Sequence, residues 1–179
     1  MTEFLSESSI ELHREYLRQT RLKYSILEKS IKGLKEAKIA DITRQNLGRK
    51  DKQDSLYLLG EVLGHELFFD SFGEVTYPPC PPAEARFGSS AALLNEIYKC
   101  ASALRYGYVG VCISRRDIRV EGAELGYQLY EYGEPILVLD VCEHAYFADY
   151  AFDKEKYLLR AIPYLALGKI SDFLENGCK

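Results

Sequence analysis

The sequence predicts an α+β fold, with an N-terminal antiparallel α-hairpin lobe followed by a C-terminal α/β lobe built on a three-stranded antiparallel sheet. Three observations predict it. Two stretches of helical periodicity are joined by a short polar segment. A proline cluster then breaks the chain. Three short β-branched runs follow, with helical stretches on either side of them. Helices, then strands, then helices is the order of an α+β fold rather than of alternating βαβ units.

Residues 9–38 carry apolar side chains at helical intervals (Ile10, Leu17, Tyr24, Leu27, Ile31, Leu34), and neither Pro nor Gly interrupts the first two dozen positions. The spacing predicts a long amphipathic helix, with Ser8 or Ser9 as its cap. Residues 40–53 are polar, contain a glycine and read as a connection. Residues 54–72 form a second, more apolar helix, so the pair predicts an antiparallel hairpin. The segment 73–83 holds four of the six prolines. This break sets the lobe boundary, giving lobes 1–78 and 79–179. Helices are expected around 84–105, and strands at 108–114, 118–125 and 135–141, with YGEP (132–135) as a turn. The chain from His144 onward returns to helix, with Pro163 near a helix start or a kink.

Composition narrows the possible functions. The chain has 179 residues, 47% hydrophobic, with a formal net charge of -4 and an isoelectric point near 5.5. An acidic chain argues against a general nucleic-acid binder. Of 23 Lys and Arg, 12 fall within residues 1–57, interleaved with Asp and Glu as on a solvated helix face. No apolar run is long enough to span a membrane. The first residues lack the basic-then-apolar order of a signal peptide. Five cysteines, an odd number with no CxxC, predict reduced thiols and a cytoplasmic protein.

The three histidines stand apart: His13 on the first predicted helix, His65 on the second, His144 just after the last strand. A lone histidine is most often a surface or satisfied core residue. Asp140 changes that reading for His144. It ends the apolar run PILVLDV, where a buried carboxylate needs a partner or a metal ion. Four residues separate Asp140 from His144, across a turn from strand toward helix. Glu61 and His65 also lie four apart, on one face of a mainly apolar helix. That face is either a half-exposed stripe or one turned toward an internal metal. Three imidazoles and a carboxylate suit iron, manganese or zinc, and the donors alone do not choose among them.

The segment DVCEHAYFADY (140–150) resembles the iron/manganese superoxide dismutase signature D-V-W-E-H-A-Y, with Cys142 in place of Trp. SIELH (9–13) and GHELFFDSF (64–72) resemble the family's segments around its first two ligands. The resemblance implies His13, His65, Asp140 and His144 as ligands of one iron or manganese ion per chain. It further implies an oxidoreductase that disproportionates superoxide, a small anion, to dioxygen and hydrogen peroxide, as an antioxidant enzyme. A homodimer is implied as well, in which Glu143 bonds the third histidine of the other subunit.

Departures from the pattern cluster around these ligands. Where the family keeps a Tyr eight residues after the first ligand, this chain has Arg21. The gateway His is Leu17, and the Tyr that meets it across the dimer is Phe147, so an apolar contact is the expected substitute. The Trp-rich stretch matches YGYVGVC (106–112), without Trp. A Gln four residues before the second ligand becomes Glu61, and Gln128 is a further candidate for that role. The expectation is a buried Arg21–Glu61 ion pair replacing the Tyr–Gln pair near the reaction. With this altered surround, the alternatives are a different redox reaction on a small substrate, or a metal-binding protein without dismutase activity. An unrelated zinc hydrolase is a weaker option. Neither nucleic acid nor membrane is an expected partner.

Overall fold

The computed structural model describes residues 4–30, 53–74 and 79–176. The expected connection at 40–52, the end of the first predicted helix and the lobe boundary at residue 78 lie outside the described residues. Helix α1 spans Glu7–Ser30 and α2 spans Gln53–Asp70. α3 (Pro81–Phe87) and α4 (Ser90–Ala103) precede the strands β1 (Tyr108–Ser114), β2 (Asp117–Ala123) and β3 (Glu134–Asp140). α5 (Glu143–Tyr150), α6 (Lys154–Ala161) and α7 (Gly168–Asn176) complete the described chain. A 3-10 turn at Gly126–Glu131 links β2 to β3, and another at Ile162–Tyr164, with Pro163 inside it, links α6 to α7.

The sheet is antiparallel throughout, in the order β2-β1-β3. Its two faces do different work. Val109, Val111 and Ile113 of β1 enter the main core with residues of α4, α6 and α7. Tyr108 and Cys112 point the other way, into a smaller cluster with Leu129 and Val138, as the two-residue period of a strand demands. The β1–β2 hairpin turns on Arg115 and Arg116, both with positive φ (48° and 69°). Non-glycine residues adopt that conformation at a cost.

Helix α1 is capped by Ser6 rather than by Ser8 or Ser9. The Ser6 hydroxyl accepts from the Ser9 amide at 3.2 Å, and the Ser6 amide is itself held by Asp149. The expected caps fall inside the first turn, where Ser9 is buried and bonded to Ser6. Helix α2 packs on α1, on β3 and on the 3-10 turn. Two glycines permit this despite their cost in a helix interior. A Cβ on Gly60 would lie 2.5 Å from the Tyr127 amide nitrogen, and one on Gly64 would lie 2.8 Å from the Tyr108 ring. At its C-terminal end α2 is tied to the sheet through Ser71. Its hydroxyl donates to the Leu67 carbonyl and accepts from the Val138 amide at 2.7 Å.

Candidate metal centre

Four residues from four elements converge between the helix pair and the sheet. His13 lies on the inner face of α1, His65 on α2, Asp140 at the end of β3 and His144 in the first turn of α5. Strand β3 delivers Asp140 because its last residues are buried on both faces. The chain then turns sharply. The Cys142 amide donates to Asp140 Oδ1 at 2.8 Å, leaving Oδ2 for the histidines. The Asp140 carbonyl accepts from the Tyr157 hydroxyl at 2.8 Å, and the Val141 amide donates to the Gly107 carbonyl. α5 starts at once, carrying His144 back beside Asp140.

Asp140 Oδ2 lies 3.2 Å from His13 Nε2, 3.7 Å from His65 Nε2 and 3.1 Å from His144 Nε2. One donor atom from each of the four residues lies within 4.8 Å of every other. Donors sitting about 2.1 Å from a shared ion are spaced on this scale. His13, His65 and Asp140 are 1% exposed or less, whereas the His144 side chain is 32% exposed. His13 Nε2 and Asp140 Oδ2, close as they are, are buried without a hydrogen-bond partner, as is His13 Nδ1. Buried polar atoms are rarely left so. Lone pairs aimed at a common point and satisfied by nothing in the chain fit a cation there, and three imidazoles with a carboxylate suit a borderline metal.

The surrounding chain fixes the protons. His65 Nδ1 lies 2.6 Å from the Glu61 carbonyl. A carbonyl only accepts, so Nδ1 carries the hydrogen and Nε2 faces the cluster with its lone pair. The Tyr108 oxygen is 3.1 Å from the same Nδ1, while the Tyr108 hydroxyl donates to Glu61 Oε1 at 3.2 Å. The Tyr16 hydroxyl donates to Glu61 Oε2 at 3.2 Å. Burial pushes the His65 pKa down to about 4, so the ring is neutral. Burial also works against ionisation of Asp140, but the neighbouring His13 and His144 imidazoles outweigh it and hold that carboxyl well below its usual range. For Glu61, burial and then the charge of Asp140 raise the pKa. At His144, burial is outweighed by the Asp140 carboxylate 3.1 Å away, which raises it.

The surroundings correct the expected roles of Arg21 and Gln128. Arg21 does not meet Glu61. Its guanidinium bonds Glu66 at 2.6 Å, with both side chains about half exposed. The physical reason is desolvation. A guanidinium keeps its hydration beside Glu66, and Glu61 is already satisfied by two phenols. Gln128 closes its own turn, accepting from the Leu125 amide at 3.1 Å. Leu17 is buried within its own chain, while Phe147 is 46% exposed. The thiol of Cys142 is half-buried and donates to the Gly107 carbonyl at 3.7 Å. Two residues went unforeseen. Tyr16 stands one turn from His13, and Tyr108 pairs with Asp140 across β1 and β3. Both signals were present, as a Tyr at helical spacing from a ligand candidate and a Tyr opening the central strand.

Fold and site together define a class of protein: an α+β domain with a buried three-histidine, one-aspartate group that can hold a metal ion. Residues 82–170 match the family model for iron/manganese superoxide dismutases, C-terminal domain. The chain belongs to that family, and the match lies within its C-terminal part. A comparison with curated proteins gives no match. Family members bind iron or manganese, act on superoxide and are usually oligomeric. No helix among the described residues is long and apolar enough to cross a membrane.

Proposed function

We propose that the protein is a metal-dependent superoxide dismutase with an atypical surround, holding one iron or manganese ion through His13, His65, Asp140 and His144. The observation that carries this reading is the convergence of these four side chains, with His13 Nε2 and Asp140 Oδ2 buried and unpartnered. A bound iron or manganese ion supplies reversible one-electron transfer, so that one superoxide is oxidised to dioxygen and another, with two protons, is reduced to hydrogen peroxide. The chain's own residues do the rest. The Glu61 carbonyl holds the proton of His65 on Nδ1, so Nε2 stays free to ligate. The Cys142 amide orients Asp140. His13, His65 and Asp140 exclude water, and the His144 side is the approach for a small anion. The α-hairpin lobe (1–78) contributes two ligands and the α/β lobe (79–179) the other two, so neither lobe holds the ion alone. The protein acts as a homodimer in which the exposed Glu143 bonds His144 of the partner subunit.

Metal analysis of the purified protein, with a superoxide-removal assay beside His144→Ala, tests this reading. Stoichiometric iron or manganese is expected, with activity lost in the variant. Protein grown with ample iron and manganese that carries neither would overturn it. A second reading, a different redox reaction on a small substrate, is favoured by one observation. Glu61, an acid in place of the family's Gln, is held by Tyr16 and Tyr108 beside the site. Bound metal without superoxide removal would select it.

A further inference from the structure

Tyr16 is stacked on the solvent-facing histidine, whose ring is also stacked on that of buried His65. Its ring lies nearly parallel to that of His144, centroids 4.6 Å apart at 21°, and 5.1 Å from the His65 ring. It is 36% exposed, so one edge meets water while its face covers the imidazoles. Its hydroxyl donates to Glu61 Oε2, a buried carboxylate, and lies beside the half-exposed Tyr57, with which it also hydrogen-bonds. The second oxygen of that carboxylate is taken by Tyr108. Tyr108 in turn occupies the space that Gly64 leaves, fully buried. Glu61 is therefore a fixed post, set between α2 and β1, to which a ring on α1 is latched.

We propose that Tyr16 is the gate of the site: latched to Glu61 it covers His65 and His144, and a solute reaches the cluster only when that hydrogen bond opens. The gate selects by size, because the opening is the swing of one phenol ring. The role of Tyr16 as a gate to a reaction centre rests on the metal reading above, whereas its cover of His144 does not. An aromatic ring over the open side also keeps water from crowding a site whose closed side is dry. Glu61 acts through Tyr16 and is a positioning residue.

The test uses the full chain. In metal-free protein prepared with a chelator, diethyl pyrocarbonate acylates accessible imidazoles, and mass spectrometry locates the product on His144 as against buried His13 and His65. Tyr16→Phe keeps the ring and removes the latch. It is expected to speed His144 modification about tenfold, the population shift that one hydrogen bond to a charged group commands. Tyr16→Leu should speed it at least as much. Glu61→Gln, whose amide oxygen still accepts, should produce a smaller change. Tyr108→Phe also removes a bond to Glu61 but leaves the Tyr16–Glu61 bond and the cover of His144 in place, and should change the rate far less than Tyr16→Phe. In iron-loaded protein, azide association followed by its visible absorption should rise in the same order. Equal His144 rates in parent and Tyr16→Phe would overturn the proposal, as would an equal acceleration by Tyr108→Phe, which marks general loosening. Failure of the chain to take up iron would sink the metal reading, and the His144 rates would still decide on the cover.

Discussion

The two sides of the histidine–aspartate cluster are built on opposite principles. On the closed side, His13, His65 and Asp140 are packed among Phe68, Phe69 and Tyr108 with no access to water. On the open side, His144 meets solvent beneath a single ring. The closed side carries the cost of burying polar atoms, which a cation would offset. The open side leaves a route to the outside. On the proposed metal reading, such a site would separate holding from exchange: the three dry residues would fix position, and the wet one would face traffic.

The contrast breaks most sharply if its common member is removed. Asp140→Ala is expected to abolish metal-dependent stabilisation, which for an ion at roughly 1,000 times its dissociation constant is about 4 kcal/mol. Thermal unfolding with and without chelator reads this as a loss of the difference between the two curves. Next, the histidines should separate by side. In metal-free protein His13→Ala opens a cavity in packed surroundings and should cost about 3 kcal/mol. His144→Ala, at the rim, should stay within about 1 kcal/mol. Urea midpoints compare them, and equal losses would erase the distinction between the sides. Gly64→Ala attacks the closed side from α2. A methyl group 2.8 Å from the Tyr108 ring forces that ring aside, with an expected cost of about 2 kcal/mol.

The smallest expected effect is that of pH on metal-free protein. The His65 pKa is depressed from 6.5 to about 4 by burial. The unfolded chain therefore binds its proton first, so the stability His65 contributes is complete above pH 6.5 and falls as pH drops toward 4. Glu61 works in the opposite direction. Its pKa is raised, as is that of His144, so both contributions grow on acidification and blunt the loss. Melting temperatures across pH 7 to 4 should decline, and His65→Gln should flatten the upper part of that decline.

Periodicity and β-branched runs made the helices and strands legible, because each element has one face committed to the core. α2 was readable from its apolar content and β1–β3 from their Val, Ile and Leu. The DVCEHAY segment pointed to the ligand set, since Asp140 and His144 sit at a strand-to-helix junction whose spacing is local. The surround was far less legible. The sequence resemblance places Arg21 where the family keeps a Tyr, but a position does not determine where a long charged side chain goes. Solvent and Glu66 claimed it. Tyr16 and Tyr108 reach Glu61 from elements far apart in sequence, and the contact depends on Gly64 being small. Such a dependence lies in packing rather than in any local pattern.

The four converging residues run from position 13 to position 144, so the site spans most of the chain. Bringing those ends together costs loop-closure entropy that no short-range contact repays. The unfolded protein accordingly offers no preformed cage, only isolated imidazoles. A cation arriving early finds nothing to hold it, and one arriving late cross-links the first helix to the last strand, as a removable staple would. On the proposed metal reading, metal choice would fall to a nearly finished fold, whose rigidity would decide which ions fit.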